Sequence, residues 1–133
     1  RQGSTRSPQR THGGVVFAPT PRDYSFKLNK KEKRIALKSA LTSKVQDGKV
    51  MVLDELKLDE IKTKKFQEVL TNLNAKKALV VIKENDKNIV LSARNIPDAQ
   101  TIIADSINVY DIMKAGTVVL TKDSVAKIEE VYA

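Results

Sequence analysis

The sequence predicts an α/β protein: a three-layer sandwich on a four-stranded parallel sheet, preceded by an extended basic N-terminal arm. Three observations carry this. Four short apolar runs, "VMVL" (50–53), "ALVVI" (78–82), "TIIA" (101–104) and "TVVL" (117–120), alternate with helical stretches. Such runs are apolar on both faces, and strands of that kind joined by helical crossovers belong in a parallel sheet covered by helices. Finally, three of the five glycines (Gly3, Gly13, Gly14) and three of the four prolines (Pro8, Pro19, Pro21) precede residue 29, which marks an irregular, extended segment.

Taken in order, residues 1–28 form the arm and residues 29–133 the globular domain. Within the arm, "GGVVFAPTPRDYSF" (13–26) mixes apolar Val15, Val16 and Phe17 with turn-forming glycine and proline, a blend that fits a segment covered by something outside the chain. Asn29 caps the first helix, whose Leu37, Ala40, Leu41 and Val45 are expected to face inward, and Gly48 ends it. After the first strand, 66–73 reads as a second helix. Asn85 or Asp86 caps a third over 88–96, which Pro97 terminates. Asn108 with Asp111 three residues later resembles a capping box for a helix over 108–113. Thr121 caps the last, 123–132, with Val125, Ile128 and Tyr132 pointing inward. There is no internal repeat.

Composition removes several function classes. The chain has 133 residues, 41% of them apolar, enough for one core of ordinary size. With no cysteine there is no disulfide framework, thiol nucleophile or cysteine-bound zinc, and His12 is the only histidine. No run reaches the ~18 apolar residues that a membrane helix needs, and a soluble, cytoplasmic protein is expected. The net charge is +8, unevenly spread: residues 1–49 hold 12 Lys+Arg against 3 acids, residues 50–133 hold 12 against 13. All the excess lies in the first third, the pattern of a polyanion-binding segment on a nearly neutral domain; a tail kept soluble by its charge is the plainer reading.

A parallel sheet invites an enzymatic reading, because such folds place ligands at the carboxyl ends of their strands, where Asp54, Asn85 and Asp86 fall. The glycine-rich phosphate loop is missing, and beyond residue 48 Gly116 is the only glycine. Helix capping explains the same acids. No catalytic residue, cofactor, metal or small-molecule substrate is therefore expected, a small α/β nucleotide binder or enzyme being the alternative. The stronger signal is basic. Arg1, Arg6, Arg10 and Arg22 are spaced through Gly, Ser, Thr and Pro, and Lys27, Lys30, Lys31, Lys33 and Arg34 follow at the start of the first helix. Guanidinium forks bind phosphate oxygens bidentately, and a flexible chain follows an irregular RNA surface that a rigid helix cannot. A nonspecific nucleic-acid-binding or chaperone-like module shares the charge but has no need of "VVFAPTP".

"GGVVFAPTPRDY" and "KKEKRIALKSAL", followed in order by "KTKKF", "LSARNIP", "INVYDI" and "VVLTKDSVAKIEEV", resemble the bacterial large-subunit ribosomal protein L four family over essentially the whole chain. The resemblance implies a structural protein of the large ribosomal subunit that binds its RNA during assembly beside neighbouring ribosomal proteins, with no membrane partner. It also implies a long loop reaching the peptide exit tunnel, of which 13–26 is the returning arm, and in some members repression of their own operon. It places the strand at 117–120 between those at 50–53 and 78–82, with 101–104 outside. Two departures stand out. The family commonly has Trp-Arg-Gly where this chain reads Arg10-Thr11-His12, so base stacking would fall to Arg10 or His12. The chain is also expected to begin inside the loop, leaving an apolar patch around Ile35 and Val15 to Phe17.

Overall fold

The computed structural model describes residues 3–7, 10, 13–15 and 17–132. After a stretch without helix or strand come α1 (Lys30–Gln46), β1 (Val50–Leu53), α2 (Thr63–Asn72), β2 (Ala78–Ile82), α3 (Lys87–Ala93), β3 (Ala99–Ile103), a 3-10 turn (Ala104–Ser106), α4 (Val109–Lys114), β4 (Thr117–Thr121) and α5 (Lys122–Tyr132). The four strands form one parallel sheet in the order β1-β4-β2-β3. Val52 pairs with Leu120, and Val80 pairs with both Val119 and Thr101, so the order is the one the family resemblance implies.

Alternation along the central strands divides the core in two. Leu79 and Val81 of β2, with Val118 and Leu120 of β4, meet Leu37 and Ala40 of α1 and Ile112 of α4. Their neighbours Ala78, Val80, Ile82 and Val119 meet Phe66 and Leu70 of α2 and Ile89 and Ala93 of α3. Val125, Ile128 and Tyr132 of α5 pack on the first cluster. Helices thus cover both faces, the arrangement that apolar, non-alternating strands require. Full burial of a side chain such as Phe66 stabilises the fold by about 1.5–3 kcal/mol.

The helix ends follow local chemistry. Asp86 accepts from the Asn88 N–H at 2.8 Å, Asn108 from the Asp111 N–H at 2.8 Å, and Thr121 from the Ser124 N–H at 3.3 Å. At the end of α1, Gly48 takes φ +67°, and the N–H groups of Lys49 and Gly48 donate to the carbonyls of Lys44 and Val45. That pairing closes the helix around a left-handed residue, as Gly permits without a steric penalty.

Four expectations are corrected. Val45 does not face inward but is 62% exposed; Lys44 takes its place at 8% exposure. Lys44 stands seven residues, two helical turns, after Leu37. Its methylene stem packs while its Nζ donates to the Ala115 carbonyl, left free where α4 ends, at 2.8 Å. α2 begins at Thr63 rather than 66. α3 ends at Ala93, because Pro97 disfavours helical geometry at Ile96 and the chain turns first, Ile96 N–H donating to Ala93. β3 spans Ala99–Ile103 rather than 101–104, Ala78 pairing with Ala99, and Ala104 opens the 3-10 turn. Among the described residues no helix is long and apolar enough to cross a membrane.

Candidate nucleic-acid interface

Prolines at 19 and 21 hold the chain preceding α1 out of helical geometry, and residues 17–29 enter neither helix nor strand and are exposed throughout. In an extended chain, residues two apart share a side. Arg22 and Tyr24 do so, with the guanidinium carbon 4.2 Å from the Tyr24 ring centroid, a cation–π contact that presents a flat, charged face. Between them, the Asp23 carboxylate accepts from the Ser25 backbone N–H at 2.8 Å and folds the chain locally. That bond, followed by one from the Ser25 hydroxyl, holds the Asp23 carboxyl below its ordinary range.

Nearer the start, backbone bonds from Ser7 to Ser4 (3.3 Å) and from Arg10 to Ser7 (2.9 Å), with the Arg6 N–H donating to Ser4 Oγ at 3.1 Å, make turns that leave Arg6 and Arg10 exposed. Arg1 lies outside the described residues, as do His12 and Val16. Lys27 is exposed on the approach to α1.

The first turns of α1 gather the rest. Lys30, Arg34 and Lys38 recur at every fourth residue and form a stripe along one side, flanked by Lys31 and Lys33, all exposed. Glu32 is the one acid in the first turn, and its carboxylate accepts from the Asn29 N–H at 3.2 Å, the return half of a capping box. A helix amino terminus already carries positive partial charge, so cations crowded there are mutually unfavourable until an anion joins them. The five ion pairs among the described residues all lie at residue 47 or beyond. Arg22, Lys27, Lys30, Lys31, Lys33, Arg34 and Lys38 enter none of them. By contrast, Lys62 and Lys65 both engage Glu60, at 3.7 Å for Lys65.

Aromatic side chains stand among these cations. Phe17 (95% exposed), Tyr24 and Phe26 offer ring faces on which bases stack, and Val15 and Ile35 add apolar surface. The charge pattern did not single out Tyr24, although the spacing of Arg22 and Tyr24 was a readable signal. Val15, Phe17 and Ile35 are each exposed, while Val16, also part of the patch expected there, lies outside the described residues.

The alternative site is present as geometry. Asp54, Asn85 and Asp86 line one open cleft of about 430 Å³ beyond the strand ends, together with Lys57, Lys83 and Asp123. Asp86 is engaged in capping α3. No group of three or more His, Asp or Glu among the described residues is placed to hold a metal ion.

The model of the Ribosomal protein L4/L1 family matches residues 1–131. Proteins named large ribosomal subunit protein uL4 are similar over the whole chain: 68% identical in Agathobacter rectalis, 65% in Lachnoclostridium phytofermentans and 58% in a Thermoanaerobacter species. The chain spans 65% of the length of each of these curated relatives. By the family match along nearly its full length, and by these identities, the chain belongs to the ribosomal protein L4/L1 family.

Proposed function

We propose that this chain is part of a structural component of the large ribosomal subunit and binds the subunit's RNA, acting in the cytoplasm beside neighbouring ribosomal proteins rather than as an enzyme. The observation that supports this best is the row of exposed cations, Arg22 to Lys38, that enter no ion pair among the described residues, the five ion pairs there all lying at residue 47 or beyond. In this reading residues 1–28 are the RNA-binding arm and 29–133 the domain that anchors it. Arg1, Arg6, Arg10 and Arg22 take phosphates along an irregular path, and Lys27, Lys30, Lys31, Lys33 and Arg34 hold the backbone where the arm enters α1. Phosphate contacts of this kind fix position and register without reading sequence. Stacking on Phe17, Tyr24 and Phe26 favours unpaired bases over duplex. In the full-length protein the loop that contains this arm reaches the peptide exit tunnel.

The test is binding to a large-subunit ribosomal RNA fragment, to an unrelated RNA of equal length and to ATP. Tight binding to the first, weaker binding to the second and none to ATP is expected. Equal affinity for both RNAs would reduce the protein to a nonspecific binder, and binding of ATP alone would favour the small α/β nucleotide-binding alternative at the Asp54 and Asp86 cleft.

A further inference from the structure

The amino-terminal end of the sheet carries a second set of cations, seated on backbone that is hydrogen-bonded to a neighbouring strand segment. Lys76 and Lys77 immediately precede β2, and Gly116 precedes its neighbour β4. The Gly116 N–H donates to the Lys77 carbonyl at 2.9 Å, and a Cβ at Gly116 would stand 2.5 Å from the Lys76 carbonyl oxygen. The dilysine turn is therefore pressed onto the β4 backbone with no room for a side chain between them. Lys77 sits in the left-handed region at φ +48°, where Gly or Asn is the sterically favoured residue, so the backbone gives no reason for a lysine there.

Lys114, at the end of α4, lines the same open cleft as Lys77. A second cleft of about 550 Å³ on the other side is lined by Lys76 and Lys77 with the polar side chains of Gln67, Thr71 and Asn74. Asp98 lines both clefts and Asp111 the first, yet none of the three lysines enters an ion pair among the described residues. The Asp111 carboxylate accepts from Asn108 Nδ2 at 2.7 Å, and Lys114 Nζ lies 5.7 Å from the Tyr110 ring centroid.

We propose that Lys76, Lys77 and Lys114 form a second phosphate-contacting surface, which holds a distant part of the same RNA that the arm binds. This rests on the reading of the chain as an RNA binder. α1 separates the two surfaces: it starts at the arm and ends beside the head of β1, and its 17 residues span about 25 Å. One ligand reaching both must be an extended, repeating polyanion, which a folded RNA is and a nucleotide is not. Ammonium groups on flexible stems act as point charges for phosphate and suit backbone contact without sequence readout.

The test compares the parent chain with two variants: Lys76→Gln/Lys77→Asn/Lys114→Gln, in which Asn tolerates the left-handed backbone, and the arm variant Arg22→Gln/Lys27→Gln/Lys30→Gln. Each is titrated with a long structured fragment of large-subunit ribosomal RNA and with a short oligouridylate over a range of salt, thermal unfolding serving as the check on folding. The three-lysine variant is expected to bind the long RNA at least tenfold more weakly, its log–log salt slope reduced by roughly 2 from about 0.7–0.9 per lost phosphate contact, with oligouridylate binding unchanged. If that variant unfolds, Lys76→Gln/Lys114→Gln is measured instead, with a smaller reduction of roughly 1.5 expected. Unchanged affinity and slope on the long RNA overturn the proposal and leave the surface to some other partner, such as an acidic protein; so does an equal loss on both ligands, or a parent chain that binds neither. Loss in the three-lysine variant with none in the arm variant would instead leave this surface standing and remove the arm.

Discussion

At the scale of single residues, Lys44 and Gly116 show how position outweighs residue type. Lys44 occupies a core position because its stem packs like an apolar side chain and its ammonium reaches the Ala115 carbonyl. Lys44→Ala removes both contributions and is expected to cost about 2 kcal/mol, whereas Lys44→Met keeps the packing, sheds a desolvated charge and should cost less than half as much. Urea unfolding measures both, and an equal cost would show that the packing is irrelevant. Gly116→Ala sets a Cβ against a backbone oxygen that no rotamer change can move, so β2 and β4 must shift; about 2–3 kcal/mol is expected. Gly48→Ala meets nothing within 4 Å and bears only the strain of φ +67°, about 1 kcal/mol. If the two alanine variants cost the same, close approach at Gly116 is not the reason for its glycine. Asp23 gives a pH prediction. Its carboxyl is held below the ordinary value of 3.8 by the Ser25 N–H and then the Ser25 hydroxyl, so the turn they form is fully present above that value and is lost as pH falls through the lowered one. An NMR titration should place the Asp23 midpoint below 3.8 and show the Ser25 amide moving with it.

At the scale of elements, the caps explain why so much of this fold was legible. A cap is a local bond between residues two or three apart, so Asp86, Asn108 and Thr121 announce their helices whatever the rest of the chain does. Asp86→Ala should cost about 1 kcal/mol in unfolding experiments, and a cost near zero would mean that packing of Ile89 and Ala93 alone holds α3. The central strands were equally plain, because burial on both faces leaves an uninterrupted apolar run. Other features were less visible. The edge of β3 depends on pairing with β2, which moves it two residues towards Ala99. The inward turn of Lys44 depends on a carbonyl 71 residues away. The left-handed dilysine turn depends on Gly116. Each is a tertiary effect, and each was invisible to local pattern. The site divides the same way: the charge run from Arg22 to Arg34 is local and readable, but which of those cations lack carboxylate partners is a property of the folded chain.

At the scale of the whole molecule, the proposed arm and globular part should make separable contributions. Nearly all of the core lies after Leu28, and the buried residues run from Leu37 to Ser124, so removing residues 1–28 should leave the sheet and both helical layers intact. The same cut removes five of the cations assigned to the RNA grip: Arg1, Arg6, Arg10, Arg22 and Lys27. Residues 1–34 carry 9 Lys+Arg and 2 acids, a net +7, and about five simultaneous phosphate contacts are reasonable for a charge of that size. With about 0.7–0.9 counterions released per contact, these residues should contribute a log–log salt slope of roughly −3.5 to −4.5 to RNA binding. The truncated chain should therefore fold with an unchanged unfolding midpoint, bind RNA weakly and show most of that slope removed. If they touch phosphate rather than base edges, as proposed, Arg6→Gln and Arg22→Gln should each weaken binding to all RNAs by a similar factor. A truncated chain that keeps both its affinity and its slope would move the grip onto the globular part. Within it, Lys62 and Lys65 are already engaged by Glu60. The load would then fall on Lys30, Lys31, Lys33 and Arg34, which the cut leaves in place, and on Lys76, Lys77 and Lys114, and the arm's exposed aromatic and apolar side chains would need a protein, not RNA, to cover them.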